Sequence, residues 1–349
     1  MRKESPNAYG LFILLLTVAI IFFLMDIALG PVPIPFKEII KIIFGHGSDS
    51  ISWNNIIEKI RIPKAETAVL AGLGLSVSGL LMQTLFRNPL SGPEVLGVTS
   101  GASLGVSLVM LASGGILSAA TINQLDLAGG WILVTAASLG SALILLIILA
   151  IANKIKDNVT LLIIGIMVGT LTISLVGLLL YFSSPEQTRD YLMWTFGSIG
   201  GVTGSHLSIL AGAVLLGLIL SLTASKSLNM LLLGENYART MGLEINKARV
   251  LIILATSFLA GSITAFCGPI GFVGLAVPHL CRAIFNTSDH LKLIIASSLM
   301  GPILMLVCDI LGQLPGSQTL LPINFVTSFL GAPVVIWVIV SKRQAKRSF

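Results

Sequence analysis

Charge is what this sequence has least of. Only 10% of its 349 residues are charged, while 55% are hydrophobic and the mean hydropathy is +0.97. Soluble domains carry about a quarter charged residues, so too little polar surface exists here to coat a water-soluble globule. That shortage excludes a cytoplasmic enzyme, a secreted disulfide scaffold and a disordered tail. Cysteine is scarce too. Cys267, Cys281 and Cys308 are odd in number, lie in or beside apolar runs and form no C-x-x-C pair, which reads as three small buried hydrophobes and no metal centre. Also missing are a G-x-x-x-x-G-K-[ST] phosphate loop and a G-x-G-x-x-G turn after a strand. An ion gradient or another chain must therefore supply any energy the protein uses.

What the sequence has is long apolar runs. A membrane-spanning helix takes roughly 20 apolar residues, and ten segments qualify at least in part: Leu11–Leu29, Ala65–Leu85, Val95–Ser113, Trp131–Ala152, Val159–Phe182, His206–Thr223, Val250–Cys267, Ile270–Phe285, Leu291–Leu311 and Phe325–Val340. The first runs too long for a signal-peptide core and is expected to be a retained span. The third and eighth are short and broken by Gly97, Gly101 and Gly105 or by Pro278. Five segments apart, they fit either an internal repeat of the transporter kind or close helix packing through small residues.

The net charge of +6 with a pI near 9.3 does not point to nucleic acid in so apolar a chain; it reads as cationic cytoplasmic loops. With ten spans and both termini cytoplasmic, only Lys37, Lys41, Lys59, Arg61, Lys64 and Arg189 of the 21 cations fall outside. Both termini are basic, so an odd number of spans would put one of them on the wrong face. The outer segment Gly30–Lys64 opens with three prolines and continues as an amphipathic stretch through Phe36, Ile39, Ile40 and Ile43. Asp26, Asp309 and His279 stand near span ends, where helix-end or interhelical bonding is favoured over a proton relay. So little mid-membrane charge suits a conduit moved by an external motor better than a gradient-driven secondary carrier, which remains the alternative beside a non-transporting scaffold.

One cytoplasmic loop, residues 225–249, mixes apolar and charged residues. Gly234, Ala238 and Gly242 recur every four residues, placing small side chains on one face of a short helix. Leu231, Leu232, Leu233, Met241 and Leu243 supply apolar grip, and Glu235 and Arg239 form a possible i, i+4 pair. The loop reads as a dock for a cytoplasmic protein, with a lone membrane-surface helix as the alternative.

Four stretches resemble the type II ABC importer permeases (the FecCD/BtuC-like family of iron–siderophore, haem and cobalamin uptake). They are Arg61-Ile-Pro-Lys64; Gln83-x-x-x-Arg87-Asn88-Pro89-Leu90-x-x-Pro93-x-x-Leu96-Gly97; Leu233-Gly234-Glu235-x-x-Ala238-x-x-x-Gly242-Leu243; and Ile270-Gly271-Phe272-Val273-Gly274-Leu275-x-x-Pro278-His279-x-x-Arg282, with Asp289-His290 and Gly331-Ala332-Pro333 besides. The resemblance runs from about Leu11 to Trp337. It implies an all-α, polytopic fold of about ten transmembrane helices forming one permease domain over residues 1–349, in the bacterial inner membrane. It also implies pairing with a second permease subunit, most simply a homodimer. Two ABC ATPase subunits would dock inside and use ATP and Mg, and a periplasmic or lipoprotein binding protein would deliver a metal chelate outside. Iron–siderophore or haem is the first expectation for the cargo and cobalamin the second. The subunit itself binds no cofactor or metal and is no enzyme. By the same resemblance, Leu233, Gly234, Glu235, Ala238, Arg239, Gly242 and Leu243 match the ATPase coupling loop. Asn88 and Leu90 match the cytoplasmic gate, with Asn158 and Thr160 in the place of a second gate loop. Arg61 and Lys64, supported by Lys59, match the outer cations that meet the binding protein. Gln313 departs from the family by standing where a basic residue is expected.

Overall fold

The computed structural model describes residues 8–48, 50–94, 97–111, 127–152, 158–313 and 321–347. Every described regular element is helical, and each of the ten apolar segments contains a helix among its described residues. The elements are α1 (Ala8–Ala28), α2 (Phe36–Ile43), α3 (Ile51–Ile56), α4 (Ile62–Leu85), α5 (Val98–Met110), α6 (Leu127–Ala152), α7 (Asn158–Tyr181), α8 (Pro185–Thr195), α9 (Ser205–Thr223), α10 (Ser225–Leu232), α11 (Glu235–Thr240), α12 (Ile245–Thr256), α13 (Ser262–Cys267), α14 (Val273–Phe285), α15 (His290–Gly312) and α16 (Ile323–Arg347). Five-residue π turns, Ile57–Arg61 and Ser257–Gly261, join α3 to α4 and α12 to α13. Among the described residues six helical stretches are long and apolar enough to cross a membrane alone, and four shorter apolar helices accompany them.

α4 is the hub. It is buried along nearly its whole length, packed against α15, α14, α9 and α12. Its sequence explains why: Gly72, Gly74, Ser76, Ser78 and Gly79 remove side-chain bulk, so neighbouring backbones approach closely, the usual basis of helix association where lipid offers no hydrophobic drive. A methyl group on Gly79 would overlap the carbonyl of Gly274 in α14, and one on Gly72 would overlap that of Gly301 in α15. α1 is the opposite case. Only Leu15, Asp26 and Ile27 are buried, which leaves its apolar surface for lipid.

The two short spans, α5 and α14, have 13 residues each, and both start from a left-handed residue, Gly97 (φ 77°) and Phe272 (φ 67°). Their glycines serve packing: Gly101 and Gly105 press α5 onto Gly140 and Ala136 of α6. The outer stretch forms α2 as expected, with a different face inward. Ile39 and Ile42 are buried, whereas Phe36, Ile40 and Ile43 are exposed. The three cysteines are buried and unpaired.

Candidate coupling and gating site

The loop 225–249 folds into α10, a corner, α11, a second corner and the start of α12. Gly234 (φ 108°) and Gly242 (φ 87°) are those corners. Both adopt backbone angles that side chains rarely tolerate, which is the reason for glycine at each. The expected stripe of small residues is therefore not a docking face. Gly234 and Gly242 lie outside α11, and Ala238 is fully buried beneath it. The exposed row is Leu233, Tyr237 and Met241, 62%, 56% and 50% exposed. Tyr237 and Met241 stand four apart across the end of α11 and share one side of it, while Leu233 lies on the far side of the Gly234 corner. Tyr237 went unnoticed in the sequence because attention fell on the small residues, although the same four-residue spacing was there to find. Leu243 packs on the core and Leu231 is buried. Glu235 pairs with Arg249 of α12 rather than with Arg239, since the corner at Gly242 folds α12 back alongside α11; Arg239 stays exposed. That ion pair ties the two helices of the loop together.

The gate stretch follows α4 directly. Arg87 takes a left-handed conformation (φ 49°), and Asn88 Oδ1 accepts from the Leu90 N–H at 2.9 Å, closing a tight turn. Leu90 is exposed. His279 of α14 donates through Nε2 to the Pro89 carbonyl at 2.8 Å. Gln83 reaches α14 twice, donating to Leu275 O at 3.3 Å and accepting from Arg282 Nη1 at 2.5 Å. Asn158 and Thr160 stand in the first turn of α7, immediately after residues 153–157, which lie outside the described residues.

Two of the outer cations, Arg61 and Lys64, face inward. The π turn before α4 aims Arg61 at the end of α1, where its guanidinium donates to the carbonyls of Ile27 and Ala28 at 3.0 Å and of Val32 at 2.5 Å. It thus satisfies carbonyls that a helix terminus leaves without partners. Lys64 Nζ lies 2.8 Å from Asp309 Oδ1, and Gln313 Nε2 bridges Asp26 Oδ1 (3.0 Å) and Asp309 Oδ2 (2.9 Å). The departure at Gln313 is explained: a neutral amide donates to both carboxylates. Asp26 and Asp309 make the interhelical contacts expected of them. Lys59 keeps an exposed side chain, while Arg61 and Lys64 hold α1, α4 and α15 together. Arg61→Lys, which cannot reproduce the forked donation, is expected to lower the melting temperature in detergent by the equivalent of about 1–2 kcal/mol; an unchanged melting temperature would show that the cap contributes nothing.

A cavity of about 730 Å³ opens between α5, α7 and α8. Ser100, Ser103, Thr170, Thr195 and Tyr191 give it hydroxyls among apolar walls, and Glu94 contributes the one acid lining it. Glu94 also accepts from the Phe272 N–H at 3.2 Å. Burial pushes its carboxyl upward, and that N–H pulls the other way.

Among the described residues, a bundle of apolar helices around a small-residue hub, with an exposed apolar loop and a tight turn after α4, marks a polytopic membrane protein. A model of the FecCD transport family matches residues 16–341, and the chain belongs to that family. It is 37% identical over 281 residues to the vitamin B12 import system permease protein BtuC of Salmonella paratyphi A, covering 80% of this chain and 82% of that one. Against the protein of the same name from Klebsiella pneumoniae it is 36% identical over 287 residues, 82% and 83% of the two chains. It also superposes on a solved chain of a transporter assigned to the metal-chelate ABC type, in an inward-facing conformation. There the TM-score is 0.78 and the identity 27%, covering 95% of this chain and 99% of that one. The chain is a permease of the metal-chelate or cobalamin type of ABC importer, a transport subunit rather than an enzyme.

Proposed function

We propose that this permease, a single domain over residues 1–349, works as one of two copies in the bacterial inner membrane, driven by two separate ATPase chains that use ATP and Mg. One ATPase docks on each 225–249 loop, and a binding protein delivers the cargo from outside, meeting a surface that includes Lys59. The cargo is a bulky metal chelate: an iron–siderophore complex, haem or a corrinoid of the kind for which the relatives are named. A cavity lined mostly by apolar side chains and hydroxyls, with Glu94 at its wall, beside the third and fifth spans supports that reading, because such a wall offers a large chelate few charged holds.

The observation that carries the proposal is the set of exposed apolar side chains Leu233, Tyr237 and Met241 on a loop whose two helices are tied together by the Glu235–Arg249 pair. Apolar side chains at a membrane surface gain from being covered by a partner, and a rigid loop transmits a push that a flexible one would absorb. Tyr237→Asp and Met241→Asp are each expected to cut the ATPase recovered with the purified permease by about tenfold or more while the permease stays monodisperse. Full recovery of the ATPase with both variants would sink the docking assignment. In proteoliposomes, uptake of radiolabelled cyanocobalamin, ferrichrome or haem should require enclosed ATP. Uptake that persists without ATP and stops with an ionophore would favour a gradient-driven carrier.

A further inference from the structure

A run of hydrogen bonds, carried on through the backbone from Thr84 to Gln83, leads from the 225–249 loop to the turn at Asn88–Leu90. Asn229, on α10, donates through Nδ2 to Asp289 Oδ1 at 3.0 Å. Its Oδ1 accepts the backbone N–H of His290 at 2.9 Å and lies 2.7 Å from His290 Nδ1. With the amide nitrogen committed to a carboxylate, the oxygen must face the ring, so Nδ1 carries the proton and Nε2 is the acceptor. Thr84 Oγ1, in the last turn of α4, stands 2.8 Å from that Nε2. His290 and Thr84 are both buried. The next residue, Gln83, binds Arg282 and Leu275 of α14; its own carbonyl accepts from the Asn88 N–H at 3.1 Å, and His279 of α14 holds Pro89.

Two features make this a joint rather than inert packing. First, the Thr84–His290 bond is buried, where a broken bond leaves a group without a partner, and the half-buried bonds of Asn229 to Asp289 and His290 extend it, so α10, the start of α15 and the end of α4 are linked. Second, the Thr84 hydroxyl has one proton and two acceptors, His290 Nε2 and its own helix at Leu80 O, 2.9 Å away. It can turn from the imidazole to the Leu80 carbonyl without being stranded itself, so the joint has two discrete arrangements, in one of which His290 Nε2 gives up this bond. A coupling element needs two such discrete states.

We infer that His290, bridging Asn229 and Thr84, is the positioning residue that passes movement of the ATPase-docking loop to the cytoplasmic gate at Asn88–Leu90. This rests on the proposed docking of an ATPase at residues 225–249. The test uses the whole complex, permease with its ATPase, carrying a nitroxide on Leu90→Cys. The three native cysteines are buried and leave that site as the labelling target. Label mobility is recorded before and after ATP with vanadate, together with the amount of ATPase bound.

Thr84→Val removes the hydroxyl at constant shape. His290→Asn keeps a donor toward Asn229 and falls short of Thr84. Each is expected to shrink the response at Leu90 at least about fivefold with the bound ATPase unchanged. The Thr84→Val/His290→Asn double variant is expected to be no worse than either single, because both break one connection. A merely structural role would lower ATPase binding and melting temperature along with the response. Should the His290 variant not fold, Thr84→Val decides alone. A full-sized response with ATPase bound overturns the relay and leaves the docking proposal standing, as does a parent that binds the ATPase yet gives no response at Leu90. An unmodified permease that recruits no ATPase overturns both.

Discussion

Gly79→Leu is expected to leave no folded permease to purify. At this position α4 and α14 meet backbone to backbone, and even a Cβ would overlap the Gly274 carbonyl. The obstacle is a main-chain atom of a buried helix, which cannot rotate away as a side-chain tip would. α14 cannot retreat freely either, because Gln83 and Arg282 hold it to α4 and His279 holds it to the gate turn. Overpacking in a tight core typically costs about 1–3 kcal/mol and more when backbone must move, so Gly79→Ala is expected to lose roughly 3 kcal/mol and Gly79→Leu more. Membrane-fraction yield and thermal unfolding in detergent are the measurements. Gly212→Ala on α9, where nothing stands within 4 Å of an added Cβ, is the control and should change stability by less than about 0.5 kcal/mol. If Gly79→Ala behaves like that control, the close α4–α14 contact is wrong.

Lys64→Met is the second large effect. Lys64 and Asp309 are 14% and 7% exposed in their side chains, and the ammonium is the cation in contact with Asp309 where Asp26 is also near. Removing one partner of a buried pair leaves an uncompensated charge, at a cost of roughly 3–5 kcal/mol. Replacing both partners by apolar groups costs far less, so Lys64→Met/Asp309→Leu is expected to be more stable than Lys64→Met alone. Part of the penalty should remain, because Gln313 would keep Asp26 but lose its second acceptor. A thermal-unfolding double-mutant cycle checks this. A Lys64→Met permease that melts like the parent but binds its binding protein more weakly would show instead that Lys64 faces outward in the working complex.

The long apolar helices were legible in the sequence because suitability for lipid is a property of the segment alone. A run of some twenty apolar residues satisfies its own backbone as a helix whatever its neighbours do, and each of the ten runs from Leu11 to Val340 contains a helix among its described residues. The end of α4 was legible too, since the apolar run stops at Leu85 and Pro89 follows close behind. The small-residue stripe of the 225–249 loop misled for a definite reason. Spacing reports a face only if the helix is unbroken, and Gly234 and Gly242 break it by their positive φ. Likewise, Glu235 could meet Arg239 only along one helix, whereas the corner brought Arg249 across.

Scarcity of charge thus determined, from sequence alone, that the protein lives in a membrane, and the placement of its few cations indicated which loops share a side. Neither depends on contacts. The direction in which each polar side chain points was decided by the tertiary structure, because that depends on partners far away in the chain. Arg61 turns inward to cap α1, 34 residues back, and His290 finds Thr84 across 206 residues. A residue type announces what bonds it can make; only the packed backbone determines which of them it does.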